Sequence, residues 1–108
     1  MGAPVNPLAS QIAALWQRNK PVMRERLQLL ERAATQMEQT GAIEAGLRKQ
    51  ATEVAHKLAG SLGMFGHTGA TESARAIEVE LETSGSPDAS LLRQHVQTLH
   101  TTLHEPLA

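Results

Sequence analysis

Apolar residues recur every three or four positions along most of this chain, and no stretch alternates strictly, so the sequence predicts helices and no strands. Wound at about 100° per residue, Leu47, Ala51, Val54, Ala55, Leu58, Leu62 and Phe65 fall in one stripe roughly 100° wide, the width of a helix face packed on a core. A helix from about Ile43 to Phe65 follows. Upstream, Leu8, Ile12, Leu15 and Trp16 mark a short amphipathic stretch that Asn19-Lys20-Pro21 interrupts. Asparagine caps helices and proline suits a first turn. A second helix is therefore expected from that point to about Gln39, burying Val22, Met23, Leu27, Leu30, Ala34 and Met37 and ended by Gly41. Beyond a Gly66-His67-Thr68-Gly69 turn, Ala70, Ala74, Ile77 and Leu81 stand at core spacing in a further helix, closed by Ser84-Gly85-Ser86-Pro87. Ser86 as N-cap and Pro87 at the first helical position open the last one, with Leu92, Val96, Leu99 and Leu103 facing inward.

Four long amphipathic segments joined by short turns predict an all-α fold, an antiparallel up-down four-helix bundle with a short additional N-terminal helix capping one end. Residues 1–108 read as a single domain, with Met1 to Pro7 a flexible, proline-bearing lead-in. Trp16 and Phe65 are the only aromatic residues, so aliphatic side chains and methionine must fill the core. The lack of cysteine excludes a disulfide framework and thiolate metal sites. A formal net charge of -1 with both signs interspersed gives no footprint for a phosphate backbone, and two aromatics form no stacking platform, so nucleic acid is not an expected partner. No apolar run approaches the length of a membrane span, and the start lacks a secretory h-region. Met1-Gly2 begins like a myristoylation signal, but Asn6 stands where Ser or Thr is required. A soluble, cytoplasmic protein without a membrane partner is expected.

His56 lies roughly 150° from the centre of the apolar stripe, on an outer face shared with Lys49, Thr52, Glu53, Ala59, Gly60 and Gly63. A solitary surface histidine is ordinarily a solvated residue, but an interior helical glycine costs roughly 1 kcal/mol relative to alanine. Because helical side chains lean toward the N-terminal turn, Gly60 and Gly63 leave bare backbone on the C-terminal side of the imidazole, where a partner can dock. The other histidines carry less. His100 and His104 stand four apart on one helix, but no third ligand is evident and His95 lies well round the helix, so no metal site is expected. His67 reads as a turn residue, and Met64 and Phe65 as core and helix-end packing.

The run His56-Lys57-Leu58-Ala59-Gly60-Ser61-Leu62-Gly63-Met64-Phe65-Gly66 resembles the signature of histidine-containing phosphotransfer (HPt) domains, the relay modules of multistep two-component signalling. That family pattern is a histidine, a leucine two residues on, then lysine, a glycine four after the histidine, small residues, and a glycine ten after the histidine. His56, Leu58, Gly60, Ser61 and Gly66 occupy those places, and the flanking helices extend the likeness over nearly the whole chain. Ala59 departs from it, standing where the family usually has a lysine near the phosphoryl group. Lys57, about 100° round the helix from His56, and Lys49, two turns earlier, are the candidates to supply positive charge instead.

The resemblance implies that His56 is the phosphoacceptor of a His-Asp phosphorelay, with Lys49, Thr52, Glu53, Lys57, Ala59, Gly60 and Gly63 facing the phosphate or the partner. Expected partners are response-regulator receiver domains and a hybrid sensor histidine kinase. The chain itself would be a monomer with no cofactor and no kinase activity, the divalent metal being held by the receiver. The chemistry suits these residues. Near neutral pH an imidazole offers an unprotonated ring nitrogen, and transfer from an aspartyl phosphate needs mostly positioning and charge stabilisation. An alternative is a helical docking module that binds receivers or kinases after losing transfer, for which Ala59 is the best support. A histidine kinase dimerisation domain fits poorly, since Lys57 follows the histidine where that family has an acidic residue.

Overall fold

Pro21 does not break the first helix. In the computed structural model, which describes residues 7–83 and 85–108, α1 runs without interruption over Pro7–Thr40 with Pro21 inside it. The predicted short capping helix is thus the N-terminal part of one 34-residue helix. Met1 to Asn6 of the predicted lead-in, and Ser84 of the predicted turn, lie outside the described residues. An interior proline costs roughly 3 kcal/mol through its missing N–H and its clash with the preceding turn. Tertiary contacts on both sides of Pro21 offset this. Trp16 Nε1 donates to Pro106 O at 2.9 Å and Lys20 Nζ to Ala108 O at 2.9 Å, and Arg24 donates to Leu107 O. These three donors stand four residues apart and so share one face of α1. Together they clamp the C-terminal segment along the helix and hold it continuous.

The remaining helices are α2 over Ala45–Met64, α3 over Thr68–Glu82 and α4 over Ala89–Leu103. Each packs on its sequence neighbour and α4 returns to α1, while the diagonal pairs do not meet. This is the ring of contacts of an up-down bundle. The core contains Met23, Leu27, Leu30, Leu58, Leu62, Ile77, Leu81, Leu92, Val96, Leu99 and Leu103, with alanines such as Ala51, Ala55, Ala70 and Ala74 allowing close helix approach. Val22, expected inside, is exposed, and so is Met64. Ala33 is buried as well. At about 1.5 Å per residue, α1 is about 51 Å long against about 30 Å for α2. Its first turns therefore extend along the end of the bundle, giving a long axis of 60 Å.

The turns explain several polar residues. Gly66, at φ 82°, follows α2, with Gly66 N–H donating to Gly63 O at 3.1 Å and His67 N–H to Leu62 O at 2.9 Å. That pair of bonds is a Schellman closure, which requires a left-handed residue at Gly66. The N-cap of α4 is Asp88, whose carboxylate accepts from Leu91 N–H at 2.9 Å, and not Ser86. Pro87 lies before the helix and is buried. Asp88 is the better acceptor, and a charge there also complements the helix dipole.

Candidate functional site

His56 projects from the middle of α2 with its side chain 75% exposed, and Nδ1 lies 2.7 Å from Oε2 of Glu78 on α3, a carboxylate only 18% exposed. An ionised carboxylate can only accept, so Nδ1 is the donor and Nε2 carries the lone pair. One contact therefore fixes both the tautomer and the ring orientation, and leaves Nε2 on the solvent side. The two residues meet because the α2–α3 connection is a tight turn. His56 and Glu78 lie at equal sequence distance from His67, and antiparallel helices bring such positions side by side.

A second group of bonds holds α3 in this register. Arg48, near the start of α2, donates from Nε to Leu81 O at 2.9 Å, from one terminal nitrogen to Gly85 O at 2.8 Å and from the other to Thr83 O at 2.6 Å. A guanidinium on the last carbonyls of α3 satisfies groups that have no helical partner and complements the helix dipole. Thr52, one turn after Arg48, turns its hydroxyl back onto Arg48 O at 2.8 Å.

Of the residues expected around the imidazole, Thr52, Glu53 and Lys57 line a shallow hollow of about 350 Å³ beside His56, joined by Glu78 and Glu82 from α3. Lys49 is exposed but does not line it. Gly60 is open: a Cβ built there meets nothing within 4 Å. Gly63 differs, since a Cβ there would rest 3.7 Å from Thr71 Oγ1 of α3, so this glycine borders the packed flank of α2. Ala59 corrects the expectation of a partner-facing residue. It is 5% exposed and belongs to the core. The helical wheel assumed one buried stripe, whereas α2 is flanked by both α1 and α3, which widens the buried arc to include the residue one turn after Ala55.

Glu78 and Glu82 are the residues that the sequence reading missed. The core spacing of Ala70, Ala74, Ile77 and Leu81 already puts Glu78 at the edge of the buried face of α3, and mirroring His56 across the turn would have singled it out. Of the remaining histidines, His67 packs its ring 4.6 Å from Trp16, which also meets Phe65 edge-on at 5.0 Å. His100 Nε2 stands 3.5 Å from Glu31. Among the described residues no group of three or more histidine, aspartate or glutamate side chains could hold a metal ion, and no helix is long and apolar enough to cross a membrane.

The model of the Hpt domain family matches residues 14–105. The chain belongs to the Hpt domain family. Hpt domains are phosphotransfer modules of two-component signalling that interact with receiver domains and kinases and have no kinase activity of their own. The match takes in all of α2, α3 and α4 and most of α1, so the helix bearing His56 and the helix bearing Glu78 both lie inside the Hpt domain. Neither a curated protein nor a solved structure matches the chain at a significant level.

Proposed function

We propose that this Hpt domain is a phosphocarrier in a multistep His-Asp relay, taking a phosphoryl group from a receiver-domain aspartate onto His56 Nε2 and passing it to another receiver. The observation that carries the reading is the exposed imidazole with Nδ1 held by Glu78, which leaves Nε2 as the nucleophile on an open face next to Gly60. In the forward step the Nε2 lone pair forms the P–N bond and the P–O bond of the aspartyl phosphate breaks, its electron pair remaining on the aspartate carboxylate. The return step reverses these events. Attack in line requires the receiver to come close, and the lack of a side chain at Gly60 permits that approach. The receiver brings its own divalent cation, so the Hpt domain needs no cofactor. Lys57 is the cation nearest in sequence to the imidazole and lines the same hollow. It is the residue proposed to offset phosphate charge in place of the lysine that Ala59 replaces. We further place the protein in the cytoplasm as a monomer, receiving its phosphoryl group in a pathway headed by a hybrid sensor kinase.

The docking-only reading draws on Ala59, whose buried methyl supplies no charge to a phosphoryl group. One experiment separates the two. The purified domain is mixed with receiver domains charged on aspartate in magnesium, and the products are followed by intact mass. An acid-labile, base-stable adduct on the native protein, lost in His56→Gln, is the expected result. Binding to receivers without any adduct establishes the docking module, and an adduct that persists in His56→Gln overturns the assignment of the acceptor.

A further inference from the structure

We infer that Arg75 of α3 is a phosphate-binding residue of this domain, its guanidinium reaching the phosphoryl group on His56 from the α3 side and joining Lys57 in supplying the charge that Ala59 does not. The inference rests on the phosphocarrier reading above and names a further residue of that same site.

Two contacts fix how α2 and α3 lie side by side around Arg75. His56 meets Glu78 at 2.7 Å, and a Cβ built at Gly63 would rest 3.7 Å from Thr71 Oγ1. Both pairs are symmetric about His67, and between them Ala59 of α2 and Arg75 of α3 form another such pair. On α3, Arg75 stands four residues after Thr71 and three before Glu78, the spacings that share a helix face. On α2, Ala59 stands three residues after His56 and four before Gly63, so position 59 lies on the flank against α3. A lysine there, as the family usually has, would emerge beside Arg75. The guanidinium thus starts from the place of the missing lysine, about 4.5 Å along the helix axis from His56.

Arg75 is also free to act. It is exposed and, among the described residues, makes no hydrogen bond or ion pair, although Glu72 and Glu78 stand three residues to either side. Other arginines near α2 are engaged: Arg48 holds the carbonyls at the end of α3 and in the turn beyond it, and Arg26 of α1 reaches Ser61 Oγ at 3.5 Å. Gly60, next to Ala59, puts no side chain over the surface that the guanidinium must cross. The need is electrostatic. The hollow beside His56 is lined by the carboxylates of Glu53, Glu78 and Glu82 and by one cation, Lys57. A phosphoryl group adds a charge of about −1.5 to −2, which the single ammonium cannot offset among three carboxylates. A guanidinium presents paired N–H donors that match phosphate oxygens, so an unengaged arginine on the rim of this site suits the task.

The test uses the whole protein and two donors, so that phosphate binding separates from docking. Native protein, Arg75→Ala, Arg75→Gln and Arg75→Lys are phosphorylated by phosphoramidate and by a receiver charged on aspartate, with His56→Gln as the background, and the adduct is followed by intact mass. Because Arg75 holds no partner in the fold, all three variants should unfold at the native temperature. The expected result is a fall in the rate of labelling by phosphoramidate of about three- to tenfold in Arg75→Ala and Arg75→Gln, the range of a partly solvated charged hydrogen bond. Arg75→Lys should keep most of the native rate, and high salt should narrow the gap. In nitrogen-15 spectra the Arg75 Nε–H resonance, identified by its absence from Arg75→Lys, should shift when His56 is phosphorylated, a readout that a purely structural role would not move. Native rates in Arg75→Ala with both donors overturn this inference and leave the phosphocarrier reading standing. A loss confined to the receiver, with the Arg75 resonance unmoved, overturns it equally and makes Arg75 a docking contact. Failure of every donor to label His56 in the native protein overturns both.

Discussion

Trp16 and Pro106, ninety residues apart in sequence, are joined by a 2.9 Å hydrogen bond from the indole N–H to the backbone carbonyl. The same ring packs edge-on against Phe65 and tilts over His67. It thus ties the overhanging turns of α1 to the α2–α3 turn and to the C-terminal segment at one end of the bundle.

This junction is expected to keep α1 helical ahead of Pro21. Trp16→Ala removes the hydrogen bond and the aromatic contacts of a half-buried ring, at a cost of roughly 1–3 kcal/mol. Without them the proline penalty is no longer offset, and the turns before Asn19 should fray while the bundle persists. Amide exchange should accelerate selectively at residues 8–20. Uniform acceleration across all four helices would show that the junction supports the whole bundle and not the overhang alone.

Gly60 separates stability from function. Because a side chain there meets nothing within 4 Å, Gly60→Leu should fold and gain up to about 1 kcal/mol from helix propensity. On the proposed reading the same side chain would stand on the approach to Nε2, so transfer from a charged receiver should fall at least about tenfold. Transfer kinetics unchanged in a variant with a raised melting temperature would exclude this surface from the docking interface.

The helices, their core faces and the outward histidine could all be read from the sequence, since they depend on a 3.6-residue period and on glycine in unusual places. What escaped depended on contacts between elements. Pro21 reads as a break because the three donors at Trp16, Lys20 and Arg24 act on residues more than eighty positions away. Ala59 reads as outer surface because a wheel shows one helix and not the two that flank it. Glu78 was overlooked because its partner lies across a turn, although that turn's length contained the answer. Asp88 displaced Ser86 as a cap for a local reason: the helix starts two residues later than the proline suggests.

Arg48 is expected to support the site from a distance. Its three bonds to the end of α3 and the turn that follows it hold that helix in register with α2, and hydrogen bonds from a charged group contribute about 1.5–3 kcal/mol where they are not fully solvated. Two of the three acceptors are exposed, so Arg48→Ala should cost about 1–3 kcal/mol by denaturant titration. It should also loosen the His56–Glu78 contact without touching either residue, seen as a shift of the His56 ring resonances. A stability loss with those resonances unmoved would confine the role of Arg48 to capping α3.

Arg93 of α4 provides a contrast in which charge acts on stability alone. Its guanidinium meets Glu38 at 2.7 Å and Glu31 at 2.8 Å on α1, and Thr35 Oγ1 at 3.2 Å. The hydrogen bonds that it donates to Glu38, and then those to Glu31, push its pKa further above the ordinary arginine value. A cation whose folded pKa is raised contributes stability that is complete below its unfolded pKa and is lost only as pH rises through the folded value. Both values lie well above the alkaline range in which proteins are studied, so the contribution should not vary between pH 7 and pH 9.5. Arg93→Ala should therefore lower stability by about 1–2 kcal/mol, reduced from the buried-pair figure because the groups are partly solvated. The loss should be equal at both pH values and smaller in high salt. A loss that grew or vanished between pH 7 and pH 9.5 would show that another titrating group, and not the guanidinium with its two carboxylates, sets the strength of the α1–α4 contact.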